Sequence, residues 1–297
     1  MTTLGGETVD APSGRESRVR RGLVAVGKVL LFVLLVGVAT AALYGASHAL
    51  GFRWSRETDE AWGALLQLAG AVAGSWAMLR WVERRGWRAV GLGRSDARAR
   101  LLGEGWLLGM LAIGVPSLLL AGTGWLRFRA APDGSWWGAA IRATALLAPA
   151  ALLEEVLVRG YPFAVLRRAW GALAALAITS VVFGLLHTMN AGATPLSITL
   201  VTLAGFFLGG VVIVTGSVWA AWAAHLAWNW TMAVLLHTAV SGIPLTTPDY
   251  RLEDAGPDWA TGGPWGPEGG AGGALGMIGG VGYLIARRRR RGEIRDT

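Results

Sequence analysis

Two adjacent glutamates stand inside an apolar stretch of the chain. Glu154 and Glu155 occur in the sequence LLEEVLVR (152–159), and the other acidic residues, of 19 in total, do not lie as deep in an apolar run. On a helix, Glu155 and Arg159 are four residues apart and share a face, whereas Glu154 points about 100° away. We expect the first two to pair and brace the helix. Glu154 is then left to face a cavity, where a carboxylate suits a general base or acid.

Two histidines stand in helical spacing with a partner. Phe183 and His187 are four residues apart, as are His225 and Asn229, so each pair shares one face of its own helix. Ionisable side chains inside membrane helices are costly to bury and are usually functional. Together with the glutamates, these residues predict a polar site assembled from three helices.

Counting along the chain predicts the depth of each side chain. Glu154 lies about 17 residues before Gly171 and His187 about 16 residues after it, which are nearly equal lengths in an antiparallel helical hairpin. His225 lies only about 14 Å along its helix from Gly216, so tilt or a longer helix has to bring it to the same level.

The elements that carry these residues are predicted to be membrane helices. The chain of 297 residues is 53% hydrophobic and 15% charged, whereas a soluble domain is about 25% charged. A spanning helix needs about 20 mostly apolar residues. The predicted fold class is all-α, a polytopic membrane helical bundle of about eight transmembrane helices, over 23–45, 61–82, 104–124, 143–168, 171–190, 195–214, 217–237 and 273–286.

The arginines predict the orientation of these helices. Positively charged residues concentrate in the cytoplasmic segments of membrane proteins, and an eight-span arrangement with both termini cytoplasmic places most arginines on one side. The predicted location is therefore the cell membrane, with arginine usage that suggests a bacterial plasma membrane. The arginines on the cytoplasmic side are at positions 15, 18, 20, 21, 84, 85, 88, 94, 98, 100, 167, 168 and 287–291.

Composition also excludes several classes of partner and site. The absence of cysteine excludes disulfide frameworks, Cys-ligated zinc, iron–sulfur clusters and thiol nucleophiles. The net charge of +8 is explained by the arginines beside apolar runs, so we predict contacts with membrane lipids and no nucleic-acid partner.

The predicted segments are a cytoplasmic polar tail (1–22), N-terminal transmembrane helices (23–136), a catalytic helical core (137–237), a Gly/Pro-rich extracytoplasmic loop (238–272), and a last transmembrane helix with a basic tail (273–297).

The three motifs together resemble those of the CPBP family of intramembrane proteases, also called the CAAX prenyl protease and bacteriocin-processing or Abi family. The family signature is E-E-x-x-x-R, then F-x-x-x-H, then H-x-x-x-N, on separate membrane helices. This chain has all three in order, and the resemblance covers about 140–236. The matching residues are Glu154, Glu155, Arg159, Phe183, His187, His225 and Asn229.

The resemblance implies a role for each of these residues. Glu154 would activate the attacking water with help from His187, and His225 and Asn229 would stabilise the oxyanion. Glu155 and Arg159 would fix the geometry of the site. Members of the family are described both as metalloproteases and as metal-free glutamate proteases, and the sequence leaves both open. If zinc is used, its ligands would be Glu154, His187 and His225, and Glu155 would then inherit the role of base.

The sequence thus predicts an intramembrane endopeptidase that hydrolyses a peptide bond of a membrane-associated or prenylated-type protein or peptide. H-E-x-x-H is absent, because none of the four histidines is followed by glutamate, so a zincin is excluded. The first alternative is a non-catalytic scaffold or immunity protein that binds a peptide or lipid in the same pocket. The second is a proton-coupled transporter with Glu154 as relay, which the lack of an internal repeat disfavours.

Overall fold

Helices dominate the computed structural model, which describes residues 14–52, 56–130, 135–245 and 250–290. Most of the predicted tail 1–22 and the last part of the basic tail therefore lie outside the described residues. The helices are α1 (Gly14–Ala49), α2 (Arg56–Ala77), α3 (Ala99–Gly122), α4 (Trp136–Glu155), α5 (Tyr161–Trp170), α6 (Ala172–Leu186), α7 (Pro195–Thr215), α8 (Val218–Trp230), α9 (Asp258–Thr261) and α10 (Ala271–Arg290).

Four helical stretches are long and apolar enough to cross a membrane, and they indicate a multi-pass membrane protein. They are Val19–Ala49, Glu60–Glu83, Ala99–Gly122 and Pro195–Thr215. The stretch predicted over 143–168 is divided, because α4 passes through a π-helical turn (Val156–Gly160) into α5. The count of eight spans accordingly stays a prediction.

The ends of the helices differ from the ends predicted from the apolar stretches. The first begins at Gly14, before the predicted start at residue 23, because charged residues continue a helix as readily as apolar ones. By contrast, α6 ends at Leu186, four residues before the predicted end at 190. Hydropathy locates the middle of a helix well, but its ends are set by local backbone contacts.

The structure contains one small sheet that the all-α prediction did not include. Strands β1 (Leu126–Ala130) and β2 (Tyr250–Asp254) pair antiparallel, with Leu126 opposite Asp254. Alternation of apolar and charged residues lets the pair bury Leu126 and Leu252 while the arginines stay exposed. The sheet joins two connections that the sequence places on the same side of the membrane.

Small residues let α8 pack closely on α3. A Cβ at Gly105 or Gly109 of α3 would collide with the backbone carbonyl of Ala220 or Ala224 of α8. The two glycines are four residues apart, so they form one smooth face on which a second helix backbone can rest. This contact positions the helix that carries His225 and Asn229.

The Gly/Pro-rich segment 238–272 contains regular structure in its described parts. Beside β2 and α9, it forms 3₁₀ turns at Gly263–Trp265 and Pro267–Gly269. The second of these turns packs against α7 and α10, and Trp265 is fully buried. The end of this segment is thus part of the helical core.

Candidate active site

Glu155 and Arg159 form the buried ion pair that their spacing predicts. Arg159 Nη1 donates to Glu155 Oε1 at 3.1 Å, and both side chains are inaccessible to solvent. Arg159 Nη2 also donates to the carbonyl of Gly205 in α7 at 3.3 Å. The guanidinium carbon lies 4.0 Å from the ring centre of Phe183. The pair therefore ties α4 to α6 and α7.

Glu154 faces the two histidines from the adjacent helical face. Its Oε2 atom lies 3.9 Å from His187 Nε2 and 3.8 Å from His225 Nε2. Both distances are too long for a direct hydrogen bond. Oε2 is buried and has no hydrogen-bond partner among the described residues, although the side chain as a whole is 35% exposed. The structure thus brings together one carboxylate and two imidazoles around a common point.

The other ring nitrogen of each histidine determines which tautomer is present. His187 Nδ1 lies 2.8 Å from the carbonyl of Phe183, and His225 Nδ1 lies 3.0 Å from Glu155 Oε1. Both oxygens can only accept, so each Nδ1 carries the hydrogen. In its neutral form each ring therefore presents a lone pair at Nε2 towards Glu154. The two Nε2 atoms and the carboxylate oxygen are then all hydrogen-bond acceptors. A water molecule between them can donate to two of these three atoms.

His225 reaches this point although the residue count left it short. His225 lies on α8, and the first residue of α8 contacts the connection between α2 and α3. Val218 N donates to the carbonyl of Gly91 in that connection at 2.9 Å. The hydroxyl of Ser217 donates to the carbonyl of Asp96 at 2.7 Å and caps α8 by accepting from Ala220 N. The hydrogen bonds to Gly91 and Asp96 fix the start of α8 against the connection between α2 and α3.

A small cavity adjoins the two histidines. Phe183, His187, His225 and Asn229 line it, and its volume is about 30 Å³. Glu154 is not among its lining residues, so the expectation that Glu154 faces a cavity is not met by this one. A water molecule needs about 10–15 Å³ measured in this way, so the cavity has room for water beside the histidines. The ring centre of Phe183 lies 4.8 Å from that of His187 and 5.9 Å from that of His225. This aromatic ring therefore packs against both imidazoles.

The three predicted zinc ligands do not form a preorganised metal site. Two imidazoles and a carboxylate are suitable donors, and both rings are oriented through Nδ1 as in zinc proteins. However, tetrahedral zinc with bonds of about 2.1 Å separates its ligand atoms by about 3.4 Å, and here Glu154 Oε2 lies 3.8 and 3.9 Å from the nitrogens. Across the described ranges, no group of three His, Asp or Glu side chains is placed to hold a metal ion.

Glu268 is a pocket residue that the sequence analysis did not select. Its Oε2 accepts from Trp228 Nε1 at 2.8 Å, and its Oε1 accepts from both the backbone N–H and the hydroxyl of Ser241, each at 2.7 Å. It is 6% exposed and lines the same cavity as the histidines. The available signal was its isolation, because it is the single charged residue between Asp258 and Arg287.

The site is thus a carboxylate–histidine cluster within a bundle of apolar helices, an arrangement suited to hydrolysis at a membrane. Residues 135–231 match the family model described as Type II CAAX prenyl endopeptidase Rce1-like. This part of the chain, about a third of its length, is a domain of that family of peptidases. The match includes all six predicted site residues and ends before Glu268. No curated protein and no solved structure matches the chain.

Proposed function

We propose that this protein is an intramembrane endopeptidase that hydrolyses a peptide bond of a membrane-associated protein or peptide, with Glu154 as the base that activates water. The observation that carries the proposal is the position of Glu154 Oε2. This atom is buried without a hydrogen-bond partner among the described residues, and it lies 3.9 and 3.8 Å from two imidazole nitrogens. Membership of a peptidase family supports the same reaction. A prenylated-type protein is the substrate class that the family description suggests.

In this mechanism Glu154 and His187 bind the attacking water. The water donates one hydrogen to Glu154 and the other to the Nε2 lone pair of His187. Glu154 takes the proton as the water oxygen attacks the peptide carbonyl carbon, so the carboxylate becomes a carboxylic acid and a tetrahedral intermediate forms.

His225 and Asn229 are proposed to stabilise the negative oxygen of that intermediate. Both line the same cavity, on successive turns of α8. Because His225 Nδ1 already donates to Glu155, the ring has to carry its second proton for Nε2 to donate to the oxyanion. The Asn229 amide supplies a donor that is independent of protonation. Collapse of the intermediate then transfers the proton from Glu154 to the leaving amine.

The proposal is tested by cleavage of a membrane-anchored prenylated peptide by the purified protein in detergent. We expect Glu154→Gln to lower kcat at least about 10³-fold, because an amide cannot take a proton from water, and His187→Ala to lower it about 10²-fold. The matched control is Glu253→Gln, which alters a carboxylate on β2 whose side chain is 43% exposed and should leave kcat unchanged.

Two further measurements complete the test. Each variant is assayed with and without a metal chelator, and we expect wild-type activity to persist under chelation. Unimpaired cleavage by Glu154→Gln would refute the proposed base. If the wild-type protein binds the peptide but never cleaves it, the pocket belongs to a scaffold, and the catalytic proposal is wrong.

A further inference from the structure

A second, larger cavity lies at the end of the bundle where the arginine-rich segments meet. It has a volume of about 370 Å³, within the range of ligand-binding sites. It lies between the connection after α2, the helix α5 and the end of α7. Its lining includes five arginines, namely Arg85, Arg88, Arg159, Arg167 and Arg168.

Carboxylates of the described residues balance only part of the positive charge around this cavity. Arg159 is paired with Glu155, and Arg168 donates to Glu83 at 3.2 Å. Among the described residues, no carboxylate pairs with Arg85, Arg88 or Arg167. Three exposed guanidinium groups therefore surround one concave site without a counter-charge, which favours an anionic ligand.

The number and kind of these groups favour phosphate over a carboxylate. A guanidinium offers parallel N–H donors that match two oxygens of one anion. A carboxylate has two oxygens in one plane, whereas the phosphodiester of a phospholipid has two charged oxygens and two ester oxygens in a tetrahedral arrangement, which several arginines can approach from different sides. The three guanidinium groups left unpaired here fit the larger number of acceptors.

The apolar part of the cavity wall indicates which kind of molecule the phosphate group belongs to. Phe163, Val90 and Val212, all buried apolar residues, line it beside the arginines. A ligand with both an anionic head and an apolar part would contact both surfaces. Basic pockets between membrane helices on the arginine-rich side are typical sites for anionic lipid head groups. A membrane lipid is therefore the favoured source of the phosphate.

We propose that the cavity lined by Arg85, Arg88 and Arg167 binds a phosphate group, presented by an anionic phospholipid. The site is separate from the candidate active site, and the ion pair of Arg159 and Glu155 lies between them. Binding of a phospholipid at this site does not require peptidase activity.

Native mass spectrometry of the full chain in detergent tests the proposal. The wild-type protein is titrated with phosphatidylglycerol, with phosphatidylcholine of the same acyl chains, and with inorganic phosphate. We expect one phosphatidylglycerol to bind more tightly than phosphatidylcholine. The triple variant Arg85→Gln, Arg88→Gln, Arg167→Gln should bind phosphatidylglycerol at least about tenfold more weakly, because each substitution removes a charged phosphate contact.

The matched control removes the same charge from exposed arginines outside the cavity, with Arg20→Gln, Arg94→Gln and Arg290→Gln. We expect its affinity to remain within about twofold of wild type, and thermal unfolding verifies that both triple variants are folded. Equal weakening by the control, or equal binding of the two lipids with no phosphate binding, would overturn the proposal. If inorganic phosphate binds with the same dependence on the three arginines and no lipid is preferred, the phosphate site stands and its ligand is a soluble phosphate.

Discussion

Glu154 and Glu155 are neighbours in the chain with opposite surroundings. Glu155 is fully buried, and its Oε1 accepts from both Arg159 and His225 at 3.1 and 3.0 Å. Glu154 is 35% exposed and has no direct hydrogen bond to either histidine at Oε2. The 100° rotation between successive helical residues produces this contrast. One carboxylate is held in a structural network, while the other keeps its oxygen available for water.

This contrast predicts different consequences for the same substitution at the two positions. Glu155→Gln leaves Arg159 buried with an uncompensated charge, so we expect the free energy of unfolding to fall by about 3–5 kcal/mol. Glu154→Gln breaks no ion pair with an arginine and should change the free energy of unfolding by less than about 1 kcal/mol. Denaturation in detergent, followed by circular dichroism, measures both. Equal stabilities would show that the Glu155–Arg159 pair does not hold the helices.

Glu268 makes hydrogen bonds that we expect to position the wall of the pocket. Its carboxylate accepts from Trp228 and twice from Ser241, so it links α8 to the segment 238–272. In Glu268→Gln the new amide donor would face one of these donors, which leaves a buried N–H or O–H unpaired at a cost of about 1–3 kcal/mol.

We therefore expect faster hydrogen exchange in 238–245 and 263–270 of this variant, together with a higher KM. Glu253→Gln on β2 serves as control. A general loss of protection across all helices would contradict a local role. Recovery of KM by Glu268→Asp would show that the carboxylate, and not the bulk of the side chain, is what positions the pocket.

At the scale of elements, the position of α8 is set by contacts with glycines and with backbone groups, not with site residues. Its backbone rests on Gly105 and Gly109 of α3, and its first residues are held by the connection after α2. A helix that carries two site residues is thus positioned by glycines about a hundred positions earlier in the chain. Close backbone contact of this kind leaves little room for adjustment.

Gly109→Ala tests this packing, because the added methyl group would collide with the carbonyl of Ala224. We expect a loss of about 1–3 kcal/mol in the free energy of unfolding, and lower activity through displacement of His225. Gly103→Ala lies in the same helix and meets no atom within 4 Å, so it should be neutral or slightly stabilising. Thermal unfolding in detergent compares the two. A more stable Gly109→Ala variant would contradict the close contact.

At the scale of the whole molecule, the arginine-rich segments meet at one end. Glu83, at the end of the turn after α2, accepts from Lys28 of α1 at 2.8 Å and from Arg168 of α5 at 3.2 Å. Glu104 of α3 pairs with Arg287 of α10 at 2.7 Å. The strands β1 and β2 join two connections that the eight-span prediction places on the opposite side. These contacts agree with a common side for the arginines, and the orientation in the membrane stays a prediction.

The absence of cysteine makes this orientation easy to measure. Single variants Arg94→Cys and Arg290→Cys should react with a membrane-impermeant maleimide only after the cells are opened. Arg129→Cys and Arg251→Cys should react in intact cells, because the predicted topology places β1 and β2 outside. The wild-type protein is the unlabelled control. Labelling of positions 94 and 129 from the same side would contradict the eight-span topology.

The sequence by itself determined the helical class, the pairing of Glu155 with Arg159 and the placing of Glu154 near His187, because each follows from helical periodicity and chain length within one hairpin. The tertiary structure decided the rest. His225 reaches the same point through the contacts of α8 with a distant connection, and Glu268 joins the pocket across 40 positions from Trp228. The strand pair and the arginine-lined cavity also combine separate segments. Periodicity reports which residues share a face of one helix, but only packing between helices determines which faces meet.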